Sequence, residues 1–362
     1  MERILILGAT GYTGRLVAEA LESLGRDYVI AGRNLQALEQ LSADLPSRPE
    51  VRIADVGDAP SLQRALAGIK AVVNTVGPFR RLGLPVVRAA VDLGVHYVDT
   101  TGEQSFQMQV YDELHRHAIA TACTVITGAA FEYTFSYLGA ALLHERCGPL
   151  LTVSCYQLTD NFYASVGTAK SAVGMLGEEF LAFREGRLTP LPSRWQPRRV
   201  LFPGERESLW AVPFPGGDAV MLPLDIQTLQ AATSYILLPQ WPARMLALVA
   251  ATQPYLRKVL GDGLLGRAEN ALGRLHSDPP REQRHGSPWT VFVHAQSPSG
   301  SHLCRMQGAD TYATSGATAA LTATWLAEGR ARDAGVMTTG KALPAMDFLD
   351  ALAPFGVRWE LR

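Results

Sequence analysis

The sequence predicts an α/β protein, a doubly wound parallel sheet carrying an inserted mixed α+β domain, and three observations carry that prediction. Apolar strand-like runs alternate with helical patterns through the first 128 residues, as a doubly wound sheet requires. Glycines at 8, 11 and 14 break the first apolar run where it opens into a helix. From Phe202 to Leu238 the alternation gives way to Pro- and Gly-rich stretches with short apolar runs, and a helical pattern with a small-residue side follows late in the chain at Asp310. At 362 residues and 47% hydrophobic content the chain can build two sizeable cores.

The first strand ends near Leu7 and the first helix spans Arg15 to Leu24, with Gly8, Ala9, Thr10, Gly11, Tyr12, Thr13 and Gly14 forming the turn between them. Glycine is needed where the backbone turns tightly, where a pyrophosphate approaches the main chain, and where helix packs on strand. The anion then sits on unpaired amides at the helix start. The expectation is a Rossmann-type dinucleotide site; the bland alternative is an ordinary tight strand-to-helix turn.

A second strand runs into Arg33 and Asn34. An NAD site places a carboxylate at this strand end for the ribose 2′-hydroxyl, whereas a guanidinium can grip a 2′-phosphate in a forked pair, so the expected cofactor is NADP(H). A third strand from Val51 brings Asp55 and Val56 toward the adenine. The buried run from Ala71 ends in Asn74, Thr75, Val76 and Gly77, which are expected to line the cofactor cleft before Pro78 turns the chain away. A helix from Leu84 to Leu93, a strand from His96, a further helix and a strand from Thr124 to Gly128 complete this domain.

Farther on, Val153 to Leu158 alternates as a strand, and a Gly167-Thr168 turn opens a helix expected over Lys170 to Glu185. Ala219 to Leu224 and Ser234 to Leu238 read as strands and Ala243 to Leu256 as an apolar helix. The apolar reach around it is broken by Pro239, Gln240, Pro242 and Arg244 and does not span a bilayer. That helix is either buried in the second domain's core or a cap over a channel for a greasy substrate. Arg274 to Ser287 reads as an exposed loop, and Trp289 to Ala295 pairs with His302 to Gly308 in a hairpin. Asp310 to Glu328 is a helix whose Ala313, Ala317, Ala320 and Ala327 permit close packing. With the apolar run Ala342 to Phe355 it is assigned back to the first domain, giving 1–128 plus 309–362 and an inserted 129–308.

GATGYTG, the AGRN strand end, VVNTVGPFRRLGLPVVRAAVDLGVHYVDTTGE and SVGTAKSA together resemble the saccharopine dehydrogenase-like reductases, in particular the short forms that include trans-acting enoyl reductases of lipid biosynthesis. The resemblance is specific over residues 1–105, patchy over 125–175 and near the C-terminus, and absent over 180–300. It implies NADP(H) in an N-terminal Rossmann domain, a separate substrate domain, and a nicotinamide facing the Gly167-Thr168 turn. Where relatives often read GFDSxPSDLG, this chain keeps Phe131, Ser136, Leu138 and Gly139 but has Glu132 for the aspartate, and Phe135 and Tyr137 for the proline and second aspartate.

Candidate proton donors are Tyr163 and Lys170, with Tyr133 an alternative and Glu132 placed to orient either. Lys170 is one of only four lysines, although a solvated helix lysine and a core tyrosine are the ordinary accounts of such residues. No tyrosine is followed by lysine four residues later, which argues against short-chain-dehydrogenase carbonyl chemistry and for hydride delivery to a C=C or C=N bond. The net charge of −1 gives no electrostatic case for nucleic acid or for an anionic membrane surface. The four cysteines lack CxxC spacing, and His276, His285, His294 and His302 lack a metal spacing. A reduced, cytosolic protein without metal is therefore expected, acting on a small or carrier-bound substrate, with a homodimer left open.

Overall fold

The computed structural model describes residues 3–175, 178–191, 196–204, 207–259, 268, 271 and 277–362. Seven strands form a wholly parallel sheet. β1 (Ile4–Leu7), β2 (Tyr28–Gly32), β3 (Glu50–Ile53), β4 (Ala71–Asn74), β5 (His96–Asp99) and β6 (Thr124–Ile126) lie in the order β6-β5-β4-β1-β2-β3. β15 (Gly335–Val336) adds beyond β6, with Gly335 opposite Thr124. The order reverses between β1 and β4, so the crevice at their carboxyl ends is where a ligand binds in such sheets. Helices α1 (Tyr12–Ser23), α2 (Leu35–Asp44), α3 (Ala59–Leu66), α4 (Phe79–Asp92) and α5 (Gln104–Ala120) connect these strands; all but the edge strand β3 are buried nearly throughout, as strands covered on both faces are.

α6 (Phe131–Cys147) leads into a nine-stranded sheet whose main path is β10-β11-β12-β7-β13-β14-β16. Its members are β7 (Thr152–Thr159), β10 (Arg198–Val200), β11 (Leu209–Phe214), β12 (Ala231–Leu238), β13 (Trp289–Ser297), β14 (Gly300–Gly308) and β16 (Arg358–Leu361), with β8 (Leu181–Arg184) and β9 (Arg187–Pro190) off the path. β7 and β12 pair in parallel and the other neighbours antiparallel. α6 is buried along one face of this sheet, so closely that a Cβ on Gly139 would lie 2.7 Å from Val293 Cγ2.

Several sequence expectations change. The helix expected over 170–185 is α7 (Val166–Met175), and residues 181–190 form a hairpin turned by Glu185 and Gly186, both at positive φ. Ala219 to Leu224 is helical, within α8 (Asp218–Asp225). A short run of apolar residues has no period that separates a strand from a buried helix. The expected loop 274–287 contains α10 (Arg281–His285), while 274–276 lie outside the described residues. α9 (Gln240–Val259) has one face on β11 and β12 and the other exposed, so it is a cap and not a core helix.

The C-terminal segment, expected whole with the first domain, divides. α11 (Thr311–Ala327) lies against α1 and the parallel sheet, and α12 (Thr339–Ala342) and α13 (Ala345–Ala351) pack on α6. β16 joins the second sheet, because its partner β14 presents an open edge there. The small-residue side of α11 has a specific use: a Cβ on Gly316 would lie 2.8 Å from the Leu16 carbonyl carbon and 2.9 Å from its oxygen. Backbone cannot yield there as a side-chain tip would. Gly316→Ala is expected to destabilise by roughly 1–3 kcal/mol, lowering the melting temperature by a few degrees; unchanged melting would show that α11 is not seated on α1 in this way.

Candidate active site

The glycine turn is built from close backbone approaches. Gly8 has φ +83°, and a Cβ on it would meet Val76 Cγ2 at 2.8 Å and Thr75 Oγ1 at 2.9 Å. One on Gly14 would lie 2.4 Å from Gly8 O and 2.8 Å from Ala9 Cα, so helix and strand pack there with no side chain between them. The amides of Gly8 and Ala9 donate to Ala31 O on β2, and Arg15 Nε holds the Thr10 carbonyl. Gly11 caps α1 without a side-chain hydrogen bond, and no acid stands in the first turn. The amides of Tyr12 and Thr13 are thus left without intrahelical partners at the positive helix end. These features fit the pyrophosphate of a dinucleotide.

The remaining cofactor candidates fall into two groups. Arg33 is exposed at the end of β2, with no hydrogen bond or ion pair among the described residues, and is available to a phosphate. Thr75 and Gly77 line the cleft. The others have side chains already engaged. Asn34 caps α2 by accepting from Ala37 N, and Asp55 accepts from Gly57 N at 2.8 Å, while Val56 packs on the core. Asn74 is fully buried, donates to Tyr97 Oη at 3.0 Å and accepts from Val76 N at 3.0 Å. It shapes the loop from beneath and does not face the cleft. The Tyr12 hydroxyl donates to Pro279 O at 2.9 Å, its ring meeting Tyr312 edge-on and Arg284 over its face.

Two residues at the start of α5, unremarked in the sequence, join the halves of the molecule. The buried Glu103 carboxylate accepts from Phe79 N and Arg80 N at the start of α4 and from Ser171 Oγ on α7. Gln104 donates to Leu181 O and Gly216 O and accepts from Leu181 N. A strap closes the other side: Asp278 accepts from Val166 N, and Arg284 pairs with Asp310 at 3.0 Å, both buried. Tyr312 Oη accepts from Ser165 N at 2.6 Å and lies 3.1 Å from Thr168 Oγ1, which positions the Gly167-Thr168 turn.

Together these elements enclose a cavity of about 380 Å³. Thr13, Thr75 and Gly77 border it from the nucleotide turn, and Phe131, Phe180, Phe214 and Leu246 give it an apolar wall. Glu132 is the only carboxyl, and no Lys, Arg or His is present, among the described residues that line it. Glu132 stands in the first turn of α6, and burial pushes it up to about 7, offset in part by its own backbone amide. Behind it, Asp218 accepts from Ser234 Oγ at 2.7 Å and is likewise raised to about 7. Burial is the main cause, with the Glu132 charge adding. Tyr133 also lines the cavity, but its hydroxyl donates to Gly102 O at 3.3 Å. Neither Tyr163 nor Lys170 lines it. Of the three catalytic candidates only Glu132 reaches the site: Thr168, Ser171, Ala172 and Met175 of α7 line it, and Lys170 falls on the opposite side of that helix.

Two measurements follow from this geometry. Arg33→Ala should weaken NADPH by roughly 1.5–3 kcal/mol, one to two decades in Kd, while leaving NADH binding unchanged; equal losses for both cofactors would remove Arg33 from the 2′-phosphate. Asp99, held near 7 by burial, joins Glu132 and Asp218 in keeping a proton that the unfolded chain releases near its ordinary carboxylate pKa. Stability therefore falls as pH rises from about 4 to 7 and levels off above. Glu132→Gln removes one such group and should melt a few degrees higher than the parent above pH 7, the gap closing toward pH 4.5; a pH-independent difference would place the carboxyl in water.

Residues 4–126 match the family model described as the saccharopine dehydrogenase NADP binding domain. The chain is similar to the trans-acting enoyl reductase of Mycobacterium leprae, 38% identical over 149 residues, 40% of this chain and 35% of that one. It is also similar to an Arabidopsis thaliana protein named a mitochondrial saccharopine dehydrogenase-like oxidoreductase, 31% identical over 256 residues, 62% of this chain and 56% of that one. The match thus spans about half or less of these relatives' lengths. A solved structure of apo saccharopine dehydrogenase (L-Glu forming) from Saccharomyces cerevisiae superposes with a TM-score of 0.63 at 15% identity, covering 99% of both chains. The N-terminal third is a saccharopine dehydrogenase-type NADP-binding domain, and the chain as a whole has the saccharopine dehydrogenase fold.

Proposed function

We propose that the protein is an NADPH-dependent reductase that delivers hydride to the C=C bond of an enoyl group on a lipid-like or carrier-bound intermediate. The observation that carries this reading is the cavity wall: large aromatic and aliphatic side chains with no cation among the described residues. An amino-acid or imino-acid substrate brings carboxylates, and burying one without a basic partner costs several kcal/mol. An acyl chain brings no such demand. The relatives named trans-acting enoyl reductases support the same choice.

NADPH, when bound, supplies the hydride. The first-turn amides of α1 would hold its pyrophosphate and Arg33 its 2′-phosphate. Phe131, Phe180 and Phe214 exclude water from the reacting carbons, which strengthens electrostatic interactions inside the cavity. Glu132, near pKa 7, is half protonated at neutral pH and can give its proton to the carbon or enolate oxygen that gains charge. Behind it, Asp218 is itself raised by burial first and by the Glu132 charge in addition. Tyr163 and Lys170 have no part in this scheme.

Single-turnover loss of NADPH absorbance with enoyl thioesters of increasing chain length, beside cyclic imines carrying carboxylates, tests the assignment. The expected result is turnover of the thioesters, faster for longer chains, with kcat/KM falling above pH about 7. Glu132→Gln should cost about 10²-fold and flatten that limb. Reduction of the carboxylated imines alone would overturn the enoyl reading.

A further inference from the structure

α9 is the helix that caps the cavity, and its two faces differ in a way the reductase reading does not use. Ala243, Leu246 and Ala250 share its inner face, with Ala243 fully buried and the other two lining the cavity. Trp241, Met245, Leu248 and Tyr255 fall within an arc of roughly 80° on the opposite side at 100° per residue. They are 72%, 58%, 62% and 69% exposed. A stripe of four large apolar side chains in water, interrupted by Thr252 between Leu248 and Tyr255, marks an interaction surface, unlike single exposed residues scattered over a protein.

The chemistry of α9 and its flanks selects the partner. Residues 240–259 contain three basic residues and no acidic one, in a chain whose net charge is −1, and the described, exposed side chain of Arg244 flanks the stripe. Trp241 and Tyr255, the residue types that settle at the headgroup level of a bilayer, stand at the two ends of the stripe, about 21 Å apart along the axis. Arg244 lies over the Trp241 ring at 5.6 Å, so a cation accompanies the leading aromatic. No helix among the described residues is long and apolar enough to cross a membrane.

We infer that α9 is an interfacial helix that docks the protein on an anionic phospholipid surface, its outer stripe entering the headgroup region while its inner face roofs the cavity. Both contributions such helices rely on are present, apolar area and positive charge against anionic lipid. The inference rests on α9 itself and holds whichever double bond is reduced. Combined with the proposed function, it places the cavity roof against the phase in which a greasy substrate concentrates.

The test is sedimentation of the full-length protein with vesicles of phosphatidylcholine alone or mixed with phosphatidylglycerol, read without turnover. The expected result is co-sedimentation with the anionic vesicles at about 1 mM lipid, weakened by salt. A blue shift of tryptophan emission should accompany binding and be lost in Trp241→Phe. Met245→Asp combined with Leu248→Asp should reduce partitioning about tenfold or more. Because both positions are exposed, that variant should keep its melting temperature and its stabilisation by NADPH, which separates loss of docking from loss of fold. No partitioning of the parent protein, or equal partitioning of the double variant, would overturn the inference. So would concentration-dependent dimerisation that the double variant abolishes in the absence of vesicle binding, since the stripe would then belong to a second copy.

Discussion

The structure depends on backbone lying directly against backbone around the first helix. Gly14 brings α1 onto the turn at Gly8 and Ala9, Gly8 brings that turn against Thr75 and Val76, and Gly316 brings α11 onto Leu16. At none of these contacts is there room for a Cβ without displacing its neighbour. The start of α1, the crossover loop after β4 and the helix returning from the far end of the chain are therefore held in one register. The amides at the start of α1, and the Thr75 to Gly77 edge of the cavity, inherit their positions from it.

From that fixed edge the cavity is assembled by polar side chains reaching between elements far apart in sequence. Glu103 ties α4 and α7, Gln104 ties β8 and the loop before α8, and Arg284 with Asp310 closes the strap over Tyr12. Glu103 and Gln104 make their hydrogen bonds to backbone and to Ser171, and Arg284 and Asp310 offset each other's charge, which is how a polar joint can sit between two apolar cores. The result is an apolar chamber bordered by the nucleotide turn, with one carboxyl held near neutrality. Its proton is available because burial, and not a charged partner, sets its affinity.

Much of the first sheet was legible because its signals are local. Three glycines in seven residues, apolar runs of strand length and the Gly77-Pro78 stop lie within a few positions of one another, and each has a mechanical reason. Glu132 was visible as one of several departures from a partly matching motif. Glu103 stood inside the most recognisable stretch, yet its role depends on Ser171, which lies 68 positions away. Asp218 lay in a run whose burial hid its helix. The Glu185-Gly186 turn was a readable sign that the helix from Lys170 had already ended, since two residues at positive φ suit a two-residue hairpin. The divided C-terminus could not be read from composition, because its apolar residues do not say which of two sheet edges they meet.

The central claim is that the nucleotide turn and the apolar cavity form one site, with Glu132 facing the reacting end of the cofactor. A crystal structure of the protein with bound NADP⁺ tests this most directly. The account predicts the 2′-phosphate at Arg33, the pyrophosphate on the α1 amides, and the nicotinamide beside Thr75 and Gly77 with one face open to the cavity that holds Glu132. A nicotinamide lying outside that cavity, or inside it with its open face covered by protein and Glu132 walled off, would contradict it.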